Sequence, residues 1–148
     1  MTICTNILTN LAYHKREISV FGGAQLRPNI HIADMVEIYV VLLNAQKEKI
    51  AGEIFNGGYE NHSVLQLAET VRDVIGEDVE LKTTTTNDNR SYHVSSKKIS
   101  EVLGFTARHT IRDAVADIRN AFDEGLLPNS LEDERYFNLK RMRSLNLQ

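Results

Sequence analysis

The chain has 148 residues, of which 42% are hydrophobic, and it carries a formal net charge of −3. This length suits one ordinary domain, and the apolar content is enough for a hydrophobic core, which excludes an intrinsically disordered chain. The net acidity gives no general attraction to nucleic acid or to an anionic membrane. The single cysteine, Cys4, cannot form an intrachain disulfide, which indicates a reducing compartment such as the cytoplasm.

The sequence predicts neither a secretory signal nor a membrane-spanning helix. The first ten residues, MTICTNILTN, have no basic stretch ahead of a long apolar run. The longest apolar stretch, MVEIYVVLLNA, has about eleven residues, which is too few to span a bilayer, and it contains Glu37. We therefore expect a soluble, intracellular chain.

Apolar spacing predicts alternating helices and strands along the chain. The predicted helices lie near 2–14, 34–46, 64–75, 96–103 and 111–124, and the predicted strands near 18–21, 29–32, 53–56 and 79–84. Ser63 with Gln66, and Thr110 with Asp113, form capping signals at two helix starts. This alternation indicates α/β layers. The helix at 34–46 is apolar around most of its circumference, so we expect it to be buried between layers.

No residue pattern typical of a metal centre or of nucleophilic catalysis occurs in the sequence. The five histidines are scattered, and none stands at metal-ligand spacing from another histidine or from Cys4. Neither a G-x-S-x-G elbow nor a P-loop is present. Gly57 and Gly58 follow a predicted strand, but the spacing of a dinucleotide-binding G-x-G-x-x-G is not met. A tight turn with positive φ is the favoured interpretation of this pair.

Two arginines in irregular segments are the candidates for ligand binding. Arg27 follows the double glycine of VFGGAQLRPNIHI, and Arg90 lies in NDNRSY. A guanidinium group offers a planar fork of N–H donors that fits two phosphate oxygens. A surface salt bridge, which is common and contributes little, is the simpler explanation, and the residues alone favour it.

Five stretches occur in one order: ISVFGGAQLRPNIHIADMVEIYVVLL, GEIFNGG, SVLQLAETVRDVIG, NDNRSYHVSSKKISEVLGF and TIRDAVADI. In these stretches the chain resembles the C-terminal half of the NAD-dependent epimerase/dehydratase family, the extended short-chain dehydrogenase/reductases that act on nucleotide sugars. The resemblance implies the C-terminal portion of that α/β fold, with a small mixed sheet and packed helices. Residues 1–125 would form a substrate-binding region with remnant strands of the cofactor-domain sheet, and 126–148 a charged, helical tail.

The resemblance also implies roles for particular residues. In the family, arginines at the positions of Arg27 and Arg90 hold the pyrophosphate of the substrate, and the backbone of the strand ending at Phe21 lies against the nucleotide base. These three residues are the expected substrate-binding set, with a nucleoside-diphosphate sugar as the ligand. His31 and Asp34 match the family's H-x-x-D, and we expect a packed histidine and a helix-capping aspartate.

The chain departs from the family in its catalytic and cofactor motifs. It contains no strand–glycine-rich turn–helix for NAD, and its one Tyr-x-x-x-Lys spacing, Tyr136 with Lys140, falls in the tail, where a helical-face pair is the simpler explanation. No catalytic, cofactor-binding or metal-binding residue is therefore expected. The NAD(P) implied by the family would be bound by the absent N-terminal half, so this part is expected to bind nucleotide sugar and to be inactive alone.

Two alternatives stay open, and one expectation about association accompanies them. The chain is alternatively a non-enzymatic interaction domain or gene remnant of the same fold. Nucleic-acid binding through KRMR at 140–143 is the weaker alternative, because the chain is acidic and lacks interleaved aromatic residues.

In the family a strand at 53–56 extends the cofactor-domain sheet, so the resemblance requires a strand there. Loss of the covering half would expose this strand and the helix at 34–46, which favours self-association.

Overall fold

The computed structural model describes residues 4–87 and 90–146. These residues form seven α-helices and four strands, with a short 3-10 turn at Glu134–Tyr136. The helices are α1 (Cys4–Lys15), α2 (Ile32–Asn44), α3 (Lys47–Ile50), α4 (Val64–Ile75), α5 (Lys97–Leu103), α6 (Ile111–Asp123) and α7 (Asn138–Ser144). The strands are β1 (Glu17–Phe21), β2 (Leu26–Asn29), β3 (Glu60–Ser63) and β4 (Glu80–Thr84).

The four strands form two sheets of two strands each. β1 pairs with β4 in parallel, from Glu17 opposite Glu80 to Phe21 opposite Thr84. β2 pairs with β3 in antiparallel orientation. The predicted α/β class, with parallel and antiparallel pairing and packed helices, is confirmed, and the strands are divided between two small sheets. Because β1 and β4 are parallel, their carboxyl ends lie at the same edge.

A main hydrophobic core joins α1, β1, α4 and α6. Apolar side chains of these elements pack together in one cluster that includes Ala12, Ile18, Val20, Leu67, Val71 and Val115, all fully buried. A second, smaller cluster lies around Ile38, Ile99 and Phe105 and includes the half-buried Phe55. Each fully buried Val, Leu or Ile side chain contributes about 1.5–3 kcal/mol through loss of apolar surface from water. The main core therefore fixes β1 against α1 and α4, and with it the edge at Phe21.

The capping signals read from the sequence are confirmed. Ser63 and Gln66 form a reciprocal capping box at the start of α4, and Thr110 and Asp113 do the same at α6. In each box the side-chain oxygen of the cap accepts a hydrogen bond from an amide that no helical carbonyl reaches. The helix boundaries at these two positions agree with the prediction because the capping residues determine them locally.

The strand predicted at 53–56 is absent, and this prediction was wrong. The segment runs without regular structure and Ile54 is exposed. A strand needs a hydrogen-bonded neighbour, and the four described strands pair only with each other. By the resemblance, the absence of this strand counts against the family assignment, although the other predicted elements are present.

Two strand positions differ from the prediction for local reasons. The polar strand β3, with sequence ENHS, was missed because Glu, Asn and Ser rarely favour strands; its pairing with β2 stabilises it. β2 ends at Asn29, before the predicted span 29–32 is complete, because His31 becomes the N-cap of α2. Its Nδ1 accepts a hydrogen bond from the amide of Ala33 at 3.1 Å.

Asp34 does not cap α2, so that expectation was wrong as well. Its carboxylate is buried, at 2% exposure, and accepts hydrogen bonds from the backbone N–H groups of Arg108 and His109 at 3.1 and 2.9 Å. Its Oδ1 also lies 2.9 Å from Nδ1 of His109, whose ring stacks on that of His31 at 4.7 Å. Burial favours the neutral carboxyl group, but these hydrogen bonds outweigh it and lower the pKa of Asp34. Asp34 thus joins α2 to the segment before α6, while His31 is packed, as expected.

One face of α2 is exposed, which contradicts the expectation that this helix lies between two layers. Only Asp34 and Ile38 of α2 are buried. The side chains Ile32, Val36, Tyr39, Val40 and Leu43 follow helical spacing on the exposed side, and we call this set the α2 patch. Leu43 is 86% exposed and Tyr39 is 62% exposed. A contiguous apolar surface of this kind is typical of a site that another surface covers.

No helix among the described residues combines the length and the apolar run needed to cross a membrane.

We expect the chain to self-associate through the α2 patch. Leu43→Glu introduces a charge at the most exposed residue of the α2 patch and should lower the average mass measured by light scattering at high protein concentration. Leu139→Glu is the matched control, because Leu139 lies on α7, outside the patch, and is also strongly exposed at 65%. A strictly monomeric wild-type chain, or an equal effect of both substitutions, would contradict this prediction.

Asp34→Asn should lower the free energy of unfolding by about 2–3 kcal/mol near neutral pH, because it removes charge-assisted hydrogen bonds from a buried group. The folded-state pKa of Asp34 is lowered, so its contribution is fully present above the unfolded pKa of about 4 and is lost as the pH falls through the folded-state pKa. Denaturant unfolding at several pH values should therefore show that the difference in free energy of unfolding between wild type and Asp34→Asn becomes smaller in acid. Asp78→Asn is the control: Asp78 is exposed and bound to Arg16, so its effect should be much smaller. An equal loss of unfolding free energy in the two variants would contradict a special stabilising role for the buried Asp34 carboxylate.

Candidate functional site: a cavity at the carboxyl edge of β1 and β4

The turn from β1 into β2 shapes the wall of the site. Gly22 and Gly23 have φ of 78° and 107°, which L side chains rarely adopt. A Cβ atom on Gly22 would lie 2.5 Å from both Gln25 Nε2 and Thr86 Cγ2. The amide of Gly23 donates to Gln25 Oε1 at 2.8 Å, and Gln25 Nε2 donates to the carbonyl oxygen of Phe21 at 3.2 Å. The double glycine therefore lets the chain reverse tightly and brings Gln25 against Thr86.

A cavity of about 340 Å³ opens beside this turn. Its wall is apolar along α1 and more polar along the strands; the lining residues are Cys4, Ile7, Leu8, Leu11, Ser19, Phe21, Gln25, Arg27, Val64 and Thr86. Phe21 is 59% exposed at the carboxyl end of β1. In α/β folds, ligands bind outside the carboxyl ends of parallel strands, and this volume lies in the range of small-molecule sites. We call it the edge cavity.

A second depression of about 350 Å³ adjoins the edge cavity. It is lined by Gly22, Ala24, Gln25, Thr86 and Ser91, so the two spaces share Gln25 and Thr86 as a common wall. The edge cavity is thus a mainly apolar space next to a second space that is lined by fewer and more polar residues. A ligand with an aromatic end and a polar end fits this arrangement.

Arg27 is the positively charged residue of the edge cavity. Its Nη1 donates hydrogen bonds to the carbonyl oxygens of Leu26 at 2.9 Å and of Arg90 at 2.6 Å. Its guanidinium carbon lies 5.7 Å from the centre of the Tyr92 ring, within the range of a cation–π contact. The Arg27 side chain therefore bridges β2 and the segment that carries Arg90.

The segment from Arg90 onward lies along β2 and β3. The amide of Leu26 donates to Ser91 Oγ at 2.9 Å, and the amide of Tyr92 donates to the carbonyl of Leu26 at 3.1 Å. Asn61 and Val94 exchange a reciprocal pair of hydrogen bonds at 3.0 and 2.9 Å. These bonds bring Arg90, which is distant in sequence, next to Arg27.

The structure thus places two of the three expected substrate-binding residues, Phe21 and Arg27, in one cavity. The backbone of the third, Arg90, lies within hydrogen-bonding distance of Arg27. Their roles in binding stay predictions. Sequence reasoning missed Cys4, whose thiol has its pKa raised by burial and partly lowered by the charge of Arg27. The apolar spacing of α1 predicted a packed face but not which residues of that face line a cavity.

Gly57 and Gly58 do not form a dinucleotide turn. Neither is among the glycines with positive φ, so the expectation of a positive-φ turn was wrong. A Cβ atom on Gly57 would lie 2.9 Å from Ile38 Cδ1, so a larger residue there would require the Ile38 side chain to shift. The amide of Gly58 donates to Ser96 Oγ at 2.9 Å. This pair is therefore occupied by internal contacts and does not fit the pyrophosphate of NAD(P).

The tail pair Tyr136 and Lys140 lies outside the edge cavity. The ammonium group of Lys140 lies 4.3 Å above the ring of Phe137, and the guanidinium of Arg135 lies 5.9 Å from the ring of Tyr136. Within residues 4–87 and 90–146, no group of three or more His, Cys, Asp or Glu side chains is arranged to hold a metal ion. Tyr136 lies in the 3-10 turn and Lys140 in α7, so the expectation that they lie on the face of one helix was wrong.

A separate cavity of about 310 Å³ lies between α1, the β2–α2 junction and α6. Asn6, His31, Asp117 and Ile118 are among its lining residues. His31 Nε2 lies 3.2 Å from Asp117 Oδ2, and His31 Nδ1 is bound to the amide of Ala33. Because the polar ring atoms of His31 are engaged within the protein, this cavity is a weaker candidate for a ligand site than the edge cavity.

Comparison with known proteins gives a partial match in sequence and a match in fold over most of this chain. No model of a protein family matches the chain. UDP-glucuronic acid decarboxylase 6 of Arabidopsis thaliana is 32% identical over 95 residues, which cover 63% of this chain and 27% of that protein. The matched region is a C-terminal part of that decarboxylase. The chain therefore spans about a quarter of the curated relative that it matches.

Two solved structures illustrate the likeness in fold. The UDP-glucose 4-epimerase of Thermotoga maritima, solved with UDP-glucose, has a TM-score of 0.71 and 21% identity, covering 82% of this chain and 40% of the epimerase. The L-threonine dehydrogenase of Phytophthora infestans has a TM-score of 0.70 and 9% identity, covering 80% and 40%. The likeness holds although the strand at 53–56 is absent. It establishes the fold of part of an extended short-chain dehydrogenase/reductase, and one fold carries different substrates.

Proposed function

Because the chain resembles the C-terminal part of the NAD-dependent epimerase/dehydratase family in sequence and in fold, we propose that it binds the nucleoside-diphosphate part of a nucleotide sugar. The single observation that carries this proposal is the placement of Phe21 and Arg27 in the edge cavity, with Arg90 docked against Arg27. The sequence match is to a decarboxylase of a UDP-sugar, and one structural relative was solved with UDP-glucose.

The shape of the edge cavity supports a base at one end and a diphosphate at the other. The wall formed by Ile7, Leu8 and Leu11 is apolar, and the exposed Phe21 also lines the cavity. A planar base can pack between such surfaces without placing its polar edge in a fully apolar environment. Arg27 lies where the wall becomes polar, and its planar fork suits two phosphate oxygens. The backbone carbonyl of Arg90 binds Arg27, and we expect the Arg90 side chain to supply a second positive charge to the diphosphate.

We also propose that these 148 residues bind without catalysing turnover. The sequence contains no Tyr-x-x-x-Lys pair at the edge cavity, and Gly57 and Gly58 do not fit the pyrophosphate of NAD(P). In an NAD(P)-dependent epimerase or dehydratase, the cofactor would be held by a dinucleotide-binding half, which would also complete the sugar site. A cytoplasmic location accords with this chemistry and with the single cysteine.

A non-enzymatic interaction domain is the second candidate, and the exposed α2 patch is the observation that favours it. An apolar face of this size serves association whether or not a ligand binds. The two candidates differ in the edge cavity: an interaction domain has no need for Arg27 in the cavity or for Arg90 beside it. A ligand titration therefore separates them.

Isothermal titration of the 148-residue chain with UDP and UDP-glucose should show binding that depends on both arginines. A charge-assisted hydrogen bond contributes about 1.5–3 kcal/mol, so Arg27→Ala or Arg90→Ala should weaken the affinity about tenfold or more. Arg27→Lys should also weaken it, because lysine keeps the charge but loses the fork. L-Threonine, the substrate named for one structural relative, should not compete.

Arg112→Ala is the matched control for the titration. Arg112 is exposed on α6, pairs with Asp73 and lies outside the edge cavity, so its loss should leave the affinity unchanged. If wild type binds UDP and neither Arg27 nor Arg90 affects the affinity, the phosphate assignment is wrong. If no nucleotide binds at all while the chain is folded, the interaction domain becomes the better account.

A further inference from the structure

Tyr92 contacts the central arginine of the edge cavity, although the proposed function gives it no role. Its ring centre lies 5.7 Å from the guanidinium carbon of Arg27. The Tyr92 side chain is half-exposed, so hydrophobic burial does not explain why its ring lies beside Arg27. Tyr92 is not part of the expected substrate-binding set, because its position two residues after Arg90 says nothing about contact with Arg27.

The contact between Tyr92 and Arg27 is anchored on one carbonyl group. The carbonyl oxygen of Leu26 accepts a hydrogen bond from the amide of Tyr92 at 3.1 Å and another from Nη1 of Arg27 at 2.9 Å. Nη1 of Arg27 also donates to the carbonyl of Arg90 at 2.6 Å. The backbone that carries the ring and the guanidinium group itself are thus tied to the same atom, while Ser91 fixes the amide of Leu26.

We propose that Tyr92 is a positioning residue that holds the guanidinium group of Arg27 in the orientation in which it meets a phosphate group. This inference rests on the proposed function. An arginine side chain loses substantial rotamer freedom when it is immobilised, and a side chain that is already held loses less of it on binding. The face of an aromatic ring attracts the guanidinium charge and restrains the orientation of its plane. Tyr92 and the carbonyl groups of Leu26 and Arg90 together supply this preorganisation.

The inference is tested by comparing Tyr92→Leu, which removes the aromatic face, with Tyr92→Phe, which keeps it. In the ligand-free chain, the NMR signal of the Arg27 side-chain Nε–Hε group, identified by its loss in Arg27→Lys, should shift in Tyr92→Leu and stay nearly unchanged in Tyr92→Phe. The affinity for UDP should fall about threefold to tenfold in Tyr92→Leu and stay unchanged in Tyr92→Phe. In an Arg27→Gln background, Tyr92→Leu should have no further effect on affinity, because the group that it positions is gone.

Tyr136→Leu is the matched control, because Tyr136 makes a similar contact with Arg135 at 5.9 Å in the tail, outside the edge cavity. It should change neither the Arg27 signal nor the affinity for UDP. An unshifted Arg27 signal in Tyr92→Leu, an equal shift in Tyr92→Phe, or an equal loss of affinity in the Arg27→Gln background would overturn the inference. If wild type does not bind UDP, the proposed function fails, and the ligand-free Arg27 signal still decides whether Tyr92 orients that side chain.

Discussion

The parallel pairing of β1 with β4 is the constraint on which the candidate site depends. Parallel strands bring their carboxyl ends to one edge, so Phe21 and the chain leaving Thr84 emerge together. The amide of Gly22 continues the pairing by donating to the carbonyl of Thr84 at 2.8 Å. From this edge one chain turns through the double glycine into β2, and the other leads to the segment with Arg90. The edge cavity forms between these two paths and α1.

The second sheet aligns the charged residues with that edge. β2 carries Arg27, and its hydrogen bonds to Ser91 and Tyr92 place the later segment alongside. Backbone bonds made by Leu26 therefore determine the distance between two arginines that are far apart in sequence. This arrangement separates two tasks: the core around β1 gives stability, while the edge of β2 positions the groups available to a ligand.

The sequence predicted those features that depend on neighbouring residues. Ser63 with Gln66 and Thr110 with Asp113 form the capping boxes of α4 and α6, and these residues are close in sequence, so the starts of both helices were predictable. Strand β3 was not predictable, because its polar residues do not favour a strand by themselves. It forms because the tertiary fold brings it beside β2. The absent strand at 53–56 is the converse case, since its apolar residues favour a strand but no described neighbour pairs with it.

The candidate site shows the same division between local and long-range information. The residues alone favoured a surface salt bridge over an anion site for Arg27 and Arg90, and the resemblance to a family reversed that preference. The proximity of Arg27 to Tyr92 and to the Arg90 carbonyl depends on tertiary pairing, which composition and spacing do not record. The exposed face of α2 was misjudged for a related reason: its apolar pattern predicts burial, but burial requires a covering surface. The division into 1–125 and a tail at 126–148 stays a prediction.

The central claim is that the edge cavity holds the base of a nucleoside diphosphate, and NMR of a methyl-labelled chain saturated with UDP tests it most directly. The account predicts intermolecular nuclear Overhauser effects from the uracil ring protons to the methyl groups of Ile7 and Leu11, which line the apolar wall. Ile118, which lines the separate cavity near His31, should show none. Contacts from the base to Ile118, or saturation without any contact to Ile7 and Leu11, would contradict the account.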